Sequence, residues 1–357
     1  MAGSPFGQHL ILGISGTELN DDDKRILSEL KPIGAIFFGK NFRHGMPYEV
    51  WLQSFQELMS EIRQYAERES MFMTLDHEGV SVLRTPLPMT RFPHACLLRS
   101  HSQAVAQATA VELKSLGINV SWAPVADIFS NPQNPVIGPR AFGDTPETTA
   151  EYACNYYTGL RESGILGSAK HFPGHGDTSQ DSHLELPILD LTIEDLRNRE
   201  LIPFQALIAL QVPIIMTAHI LFPKIDAVPA TLSQMILKNL LREELGFTGV
   251  IVSDDLDMRA VSQMFAQKGT VAKAFNAGCD LLIISRNLPA SNEDRISHIA
   301  ADFTDSLAQG SLTESVVAQS QARITQLLAA TPQYPVSMLE EETFQQHAKL
   351  AIACSFP

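Results

Sequence analysis

Between Lys170 and His183 the chain reads KHFPGHGDTSQDSH, which crowds three histidines, two aspartates and a lysine into one short stretch. Two chemistries are open to this set. His171, His175, His183, Asp177 and Asp181 are side chains that ligate zinc or iron. Alternatively, Asp181 and His183 stand one residue apart, so both can point the same way in an extended segment. The carboxylate could then hold the imidazole and raise its basicity for metal-free proton transfer. Spacing leaves both open.

The elements that must position these groups come from the hydrophobic pattern. Nearly all-apolar runs occur at Leu10–Ser15, Ile33–Gly39, Met71–Asp76, Ile118–Val125, Ile165–His171, Pro213–His219, Gly249–Asp254 and Cys279–Ser285. Strands buried on both faces of a parallel sheet look like this. Helical patterns lie between them, at Asp21–Leu30, Pro47–Arg68, Ser102–Leu116, Pro146–Ser163, Thr192–Leu210, Ser233–Leu245 and Val271–Ala277. Thr192 with Asp195, and Ser233, are placed to cap helices, and Gly117, Gly164 and Gly246 follow helix ends. Eight strands alternating with helices predict an α/β fold, a (β/α)8 TIM barrel, with a doubly wound open sheet as the alternative. Residues 1–357 read as one domain, with a C-terminal helix, Glu314–Ala330, and a tail after about residue 312.

In such a barrel catalytic groups gather at the C-terminal ends of the strands. The third run ends in Asp76, His77 and Glu78, and the fourth leads into Asp127 and a loop holding Arg140. The fifth ends in Lys170 and His171, the sixth in His219, and the seventh in Ser253, Asp254 and Asp255. Singly, each has a packing explanation: a cap for Asp76, a satisfied core position for His219, a helix start for Asp255. Their convergence on one rim favours chemistry. The long aperiodic segment from Phe172 to about Leu191 is expected to be a functional loop, with Gly174 and Gly176 letting it move.

KHFPGHGDTSQDSH, followed by Leu186–Pro187 and by GVIVSDDLDM at Gly249–Met258, resembles glycoside hydrolase family 3, in its β-N-acetylglucosaminidase branch that serves peptidoglycan recycling. The similarity runs from about Leu10 to Ser285. It implies a (β/α)8 barrel and a retaining mechanism. Asp254 matches the nucleophile, His183 the general acid/base and Asp181 its dyad partner. Asp76, Arg84, Arg140, Lys170 and His171 match residues that hold the sugar. Where the family reads DQEGGRV, this chain reads DHEGVSV at Asp76–Val82, so Val80 and Ser81 replace a glycine and an arginine. No second domain fits after Ser285, as expected for the branch with a histidine acid/base.

The resemblance implies release of terminal non-reducing N-acetylglucosamine from muropeptides. Three other readings compete: phosphorolysis at the same site, a metal-dependent hydrolase using the histidine-rich loop, and a non-catalytic sugar-binding barrel. No cofactor or metal is expected on the leading reading. A net charge of −14 without a Lys/Arg cluster argues against nucleic acid and anionic membranes as partners. The N-terminus lacks a basic segment followed by a long apolar run, no stretch is long enough to span a bilayer, and the four cysteines form no CxxC pair. A monomeric, cytoplasmic enzyme acting on carbohydrate is expected.

Overall fold

A computed structural model describes residues 4–182, 184–288 and 293–355. Eight parallel strands close in chain order: β1 (Leu10–Gly13), β2 (Gly34–Phe37), β3 (Phe72–Leu75), β4 (Val120–Ser121), β5 (Leu166–Phe172), β6 (Ile214–Thr217), β7 (Val250–Asp255) and β8 (Leu281–Ile284), which pairs with β1. Each overlaps one of the predicted runs, and the barrel prevails over the open sheet.

The apolar runs are explained by burial on both sides. Ile11 points into the barrel with Phe72, Val120, Ile214, Val250 and Leu281, while Leu10 and Leu12 pack outward against helices. This is a period of two in which neither face is polar. Trp122 is buried in the interior, where its indole N–H donates to Thr74 Oγ1 at 3.0 Å, so neither polar group is stranded.

The helices follow the predicted order, and local chemistry sets their ends. Asn20 and Asp23 cap each other's backbone at the start of Asp21–Leu30, and Thr192 and Asp195 do the same at Ile193–Asp195. Ser233 Oγ accepts from Ile236 N at 3.2 Å, at the start of Met235–Glu244. Gly117, Gly164 and Gly246 all take positive φ.

Among the described residues, two long helices were not expected. Glu293–Ala308 follows β8, and Glu341–Ser355 occupies what reads in sequence as a tail. Glu314–Ala329 seats Ile324 against the interior cluster, and Arg323 pairs with Asp280 just ahead of β8. That helix closes the N-terminal mouth of the barrel and leaves the C-terminal mouth open.

Candidate active site

The open mouth holds a cavity of about 320 Å³. Ile36, Met216 and Ile283 from the barrel interior contribute to its apolar lining, and the polar groups come from the strand ends and their loops.

One wall is a buried ion network. Asp76 and Glu78 lie two residues apart at the end of β3, and both line the cavity. Lys170 Nζ donates to Asp76 Oδ1 at 2.8 Å and also pairs with Glu78. Arg140, from the loop after β4, clamps Glu78 with two parallel bonds, Nε to Oε2 at 2.7 Å and Nη2 to Oε1 at 2.9 Å. Burial alone would raise the Glu78 pKa, but Arg140 and Lys170 outweigh it and hold the carboxyl well below its usual range. Burial would also lower Lys170, but Asp76 and Glu78 keep it raised. The result is a compact set of fixed charges, suited to a ring of sugar hydroxyls.

A second network fixes the stretch after β5. Asp127 is fully buried, and its Oδ2 meets His171 Nδ1 at 2.7 Å. Its Oδ1 accepts the backbone N–H of His171 at 3.1 Å and of His175 at 2.7 Å. Asp177 pairs with Arg199 at 2.7 Å and accepts from Ser130 Oγ. Both His175 nitrogens are engaged, by Thr178 Oγ1 and by Ser182 Oγ. His175 and Asp177 are thus already committed to protein partners. Among the described residues no group of three His, Cys, Asp or Glu side chains is placed to hold an ion.

Gly174 and Gly176 serve close packing. A Cβ on Gly176 would lie 1.6 Å from the Ile128 carbonyl oxygen, and one on Gly174 would lie 2.8 Å from Glu200 Oε2. Because Ile128 meets it with backbone, Gly176→Ala is expected to cost about 2–3 kcal/mol. A urea unfolding midpoint equal to wild type would contradict this.

Burial and the neighbouring His171 push His175 down to about 4, from an ordinary 6.5. A folded pKa below the unfolded one means stability is full above about pH 6.5 and is lost as pH falls toward 4. The loss due to this ring is about 3 kcal/mol. Urea unfolding of the His175→Gln variant should therefore show a shallower decline between pH 6.5 and 5 than wild type. Equal slopes would remove His175 as the cause.

Strand irregularities aim the remaining groups. Along β5, Ala169 pairs with Ile215 and Phe172 with Thr217, so β5 spends one residue more than β6. Along β7, Val252 pairs with Leu281 and Asp255 with Ile283, again one residue more than the partner. Strict alternation would send neighbours to opposite faces; a bulge of this kind re-aims them. The first irregularity brings both Lys170 and His171 to the cavity, and the second brings both Asp254 and Asp255. Burial pushes the Asp254 carboxyl up, but His171 and His219, the Asp255 amide and Lys170 together hold it below its ordinary value.

Seven of the eight site residues expected from sequence therefore line one cavity: Asp76, Arg84, Arg140, Lys170, His171, Asp181 and Asp254. The eighth, His183, lies outside the described residues. Arg84 lies over the Phe38 ring at 5.2 Å. Val80 and Ser81 are accommodated in a tight turn, Val82 N donating to Gly79 O at 3.0 Å. Gly79 alone takes positive φ there, Val80 is 44% exposed, and Ser81 bonds His94. Glu78 and Asp127 were noted in sequence only as strand-end acids, yet they organise the two networks.

A family model described as the glycosyl hydrolase family 3 N terminal domain matches residues 9–327. The chain belongs to glycosyl hydrolase family 3. This family 3 enzyme is therefore a glycoside hydrolase, and its relatives carry the name expected. It is 33% identical to beta-hexosaminidase A of Pseudoalteromonas piscicida over 347 residues, 90% of this chain but 57% of that protein. The chain thus spans just over half of that relative's length. It is 35% identical to the beta-hexosaminidase of Idiomarina loihiensis, covering 77% of this chain and 83% of that one. Among solved structures, a family 3 beta-N-acetylglucosaminidase from Paenibacillus sp. matches with a TM-score of 0.86 and 31% identity, over 99% of this chain and 68% of that one. NagZ from Neisseria gonorrhoeae matches with a TM-score of 0.73 and 28% identity, over 98% of both chains. Among the described residues no helix is long and apolar enough to cross a membrane.

Proposed function

We propose that this family 3 enzyme is a retaining β-N-acetylhexosaminidase that removes terminal non-reducing N-acetylglucosamine. The observation that carries this reading is the ionised Asp254 carboxylate facing the same cavity as the Asp76–Lys170–Glu78–Arg140 network. The network and His171 hold the sugar, together with Arg84, which lines the same cavity. Asp254 attacks the anomeric carbon and forms a glycosyl ester as the aglycone leaves. His183, with Asp181 as its dyad partner by the sequence resemblance, gives a proton to the leaving oxygen and then takes one from the water that cleaves the ester. The names of the relatives support the hexosaminide, and the sequence resemblance supports muropeptide fragments in the cytoplasm as its source.

The test is turnover of an aryl β-N-acetylglucosaminide against the matching β-glucoside. The first is expected to be preferred by about a hundredfold or more, because a site that pairs with the acetamido group leaves polar groups unmatched without it. Equal turnover would withdraw the acetamido specificity. In phosphate buffer free N-acetylglucosamine is expected; accumulation of its 1-phosphate would reassign the reaction as phosphorolysis. His183→Ala is expected to slow hydrolysis by about 10²–10⁴-fold. The loss should be greatest for poor leaving groups, and an equal loss for good and poor ones would place the proton donor elsewhere.

A further inference from the structure

Asp255 adjoins the proposed nucleophile and needs an explanation, since a second carboxylate beside Asp254 would ordinarily oppose its charge. Its side chain points toward β8. Oδ1 accepts the backbone N–H of Ser285 at 3.0 Å and of Asp257 at 3.1 Å, and Oδ2 accepts the Ser285 hydroxyl. Its own backbone N–H donates to Asp254 Oδ1 at 2.7 Å, and its carbonyl accepts from His219 Nε2 at 3.2 Å. Ser253, on the other side, accepts Ile283 N on its hydroxyl at 3.1 Å, where a regular ladder would use a backbone carbonyl. Asp255 is thus joined to β8 by its side chain, to β6 by its carbonyl and to Asp254 by its amide.

We infer that Asp255 is a positioning residue: its carboxyl group pins the bulged end of β7 to β8 and so holds its own amide against the attacking carboxylate. This rests on the reading of Asp254 as nucleophile. A bulge leaves its extra residue without a ladder partner, so an end built this way needs a separate anchor. Asp255 supplies it with two carboxylate oxygens that accept from three donors, the Ser285 and Asp257 amides and the Ser285 hydroxyl. Burial and the nearby Asp257 push the Asp255 carboxyl up to about 7, so a neutral form that spares Asp254 a like charge is accessible.

The experiment compares Asp255→Ala and Asp255→Asn in steady-state hydrolysis of an aryl β-N-acetylglucosaminide, with Asp254→Asn alongside. Asp255→Ala removes the anchor and is expected to lower kcat by about 100-fold, as a roughly 1 Å misplacement does, while KM changes by less than about threefold. Asp255→Asn keeps an oxygen for both N–H groups and a donor for the Ser285 hydroxyl. It should recover kcat to within about tenfold of wild type. Unchanged kcat in Asp255→Ala, a KM effect with kcat intact, or an Asn variant as slow as Ala would each overturn the inference. If Asp255→Ala does not fold, Asp255→Asn decides: recovery within tenfold supports the anchor, and a larger loss overturns it. An active Asp254→Asn would instead remove the reading beneath it.

Discussion

Asp254→Asn is expected to lower kcat/KM for an aryl β-N-acetylglucosaminide by about four to six orders of magnitude. The asparagine fills the same space and leaves the cavity wall intact, so the loss reports the missing nucleophile. The pull of His171 and His219, with the Asp255 amide at 2.7 Å, keeps the wild-type group a carboxylate at neutral pH despite burial. An amide oxygen cannot replace it, because the glycosyl adduct it forms does not arise at a useful rate. KM should move far less than kcat, since binding is assigned to Asp76, Lys170, Glu78 and Arg140. A drop of less than about tenfold would mean that another group attacks, or that water does so directly.

Glu78→Ala is expected to have the largest effect on stability, destabilising the fold by about 3–5 kcal/mol. The reason is the company it leaves behind. Arg140 and Lys170 are both largely buried; without Glu78, Lys170 keeps its bond to Asp76 and Arg140 its bond to the Val136 carbonyl, and neither keeps a full set of partners. Removing one partner of a buried charge set costs more than the set contributes net, because the remaining charges lose compensation without regaining water. Because the folded Glu78 pKa is depressed, its contribution is present above the ordinary carboxylate range and is lost as pH falls through and below that range. Urea unfolding at neutral pH measures the loss directly, and the midpoint gap between variant and wild type should narrow in acid. A Glu78→Ala midpoint equal to wild type at pH 7 would show that the network is not coupled to folding.

The barrel was readable because parallel strands buried on both faces leave continuous apolar runs, and all eight appear between helical patterns. The helix Glu293–Ala308 was also encoded, in Ile296, Ile299 and Phe303, which are buried at helical spacing. Glu341–Ser355 leaves a weaker trace, with only Phe344 and Cys354 buried on it. Motif and strand-end position point to residues that line the cavity, but not to the partners that hold them. Glu78 stands two residues after Asp76 and shares its face, a signal available in sequence. Asp127 gave no comparable signal, since its bonds go to His171 and His175, more than forty positions away. The bulges in β5 and β7 were invisible for a physical reason: an extra residue exists only relative to the neighbouring strand. The packing role of Gly174 and Gly176 is not legible in sequence, because close backbone approach and freedom to move both call for glycine.

The proposed mechanism turns on a covalent glycosyl intermediate on Asp254. Incubation of the protein with 5-fluoro N-acetylglucosaminyl fluoride, followed by digestion and mass spectrometry of the peptides, tests for that intermediate. One fluorosugar adduct is expected, on the peptide carrying Ser253–Asp254–Asp255, with fragmentation placing it on Asp254 and no adduct in Asp254→Asn. An adduct on another residue, or turnover of the reagent with inversion at the anomeric carbon, would contradict it.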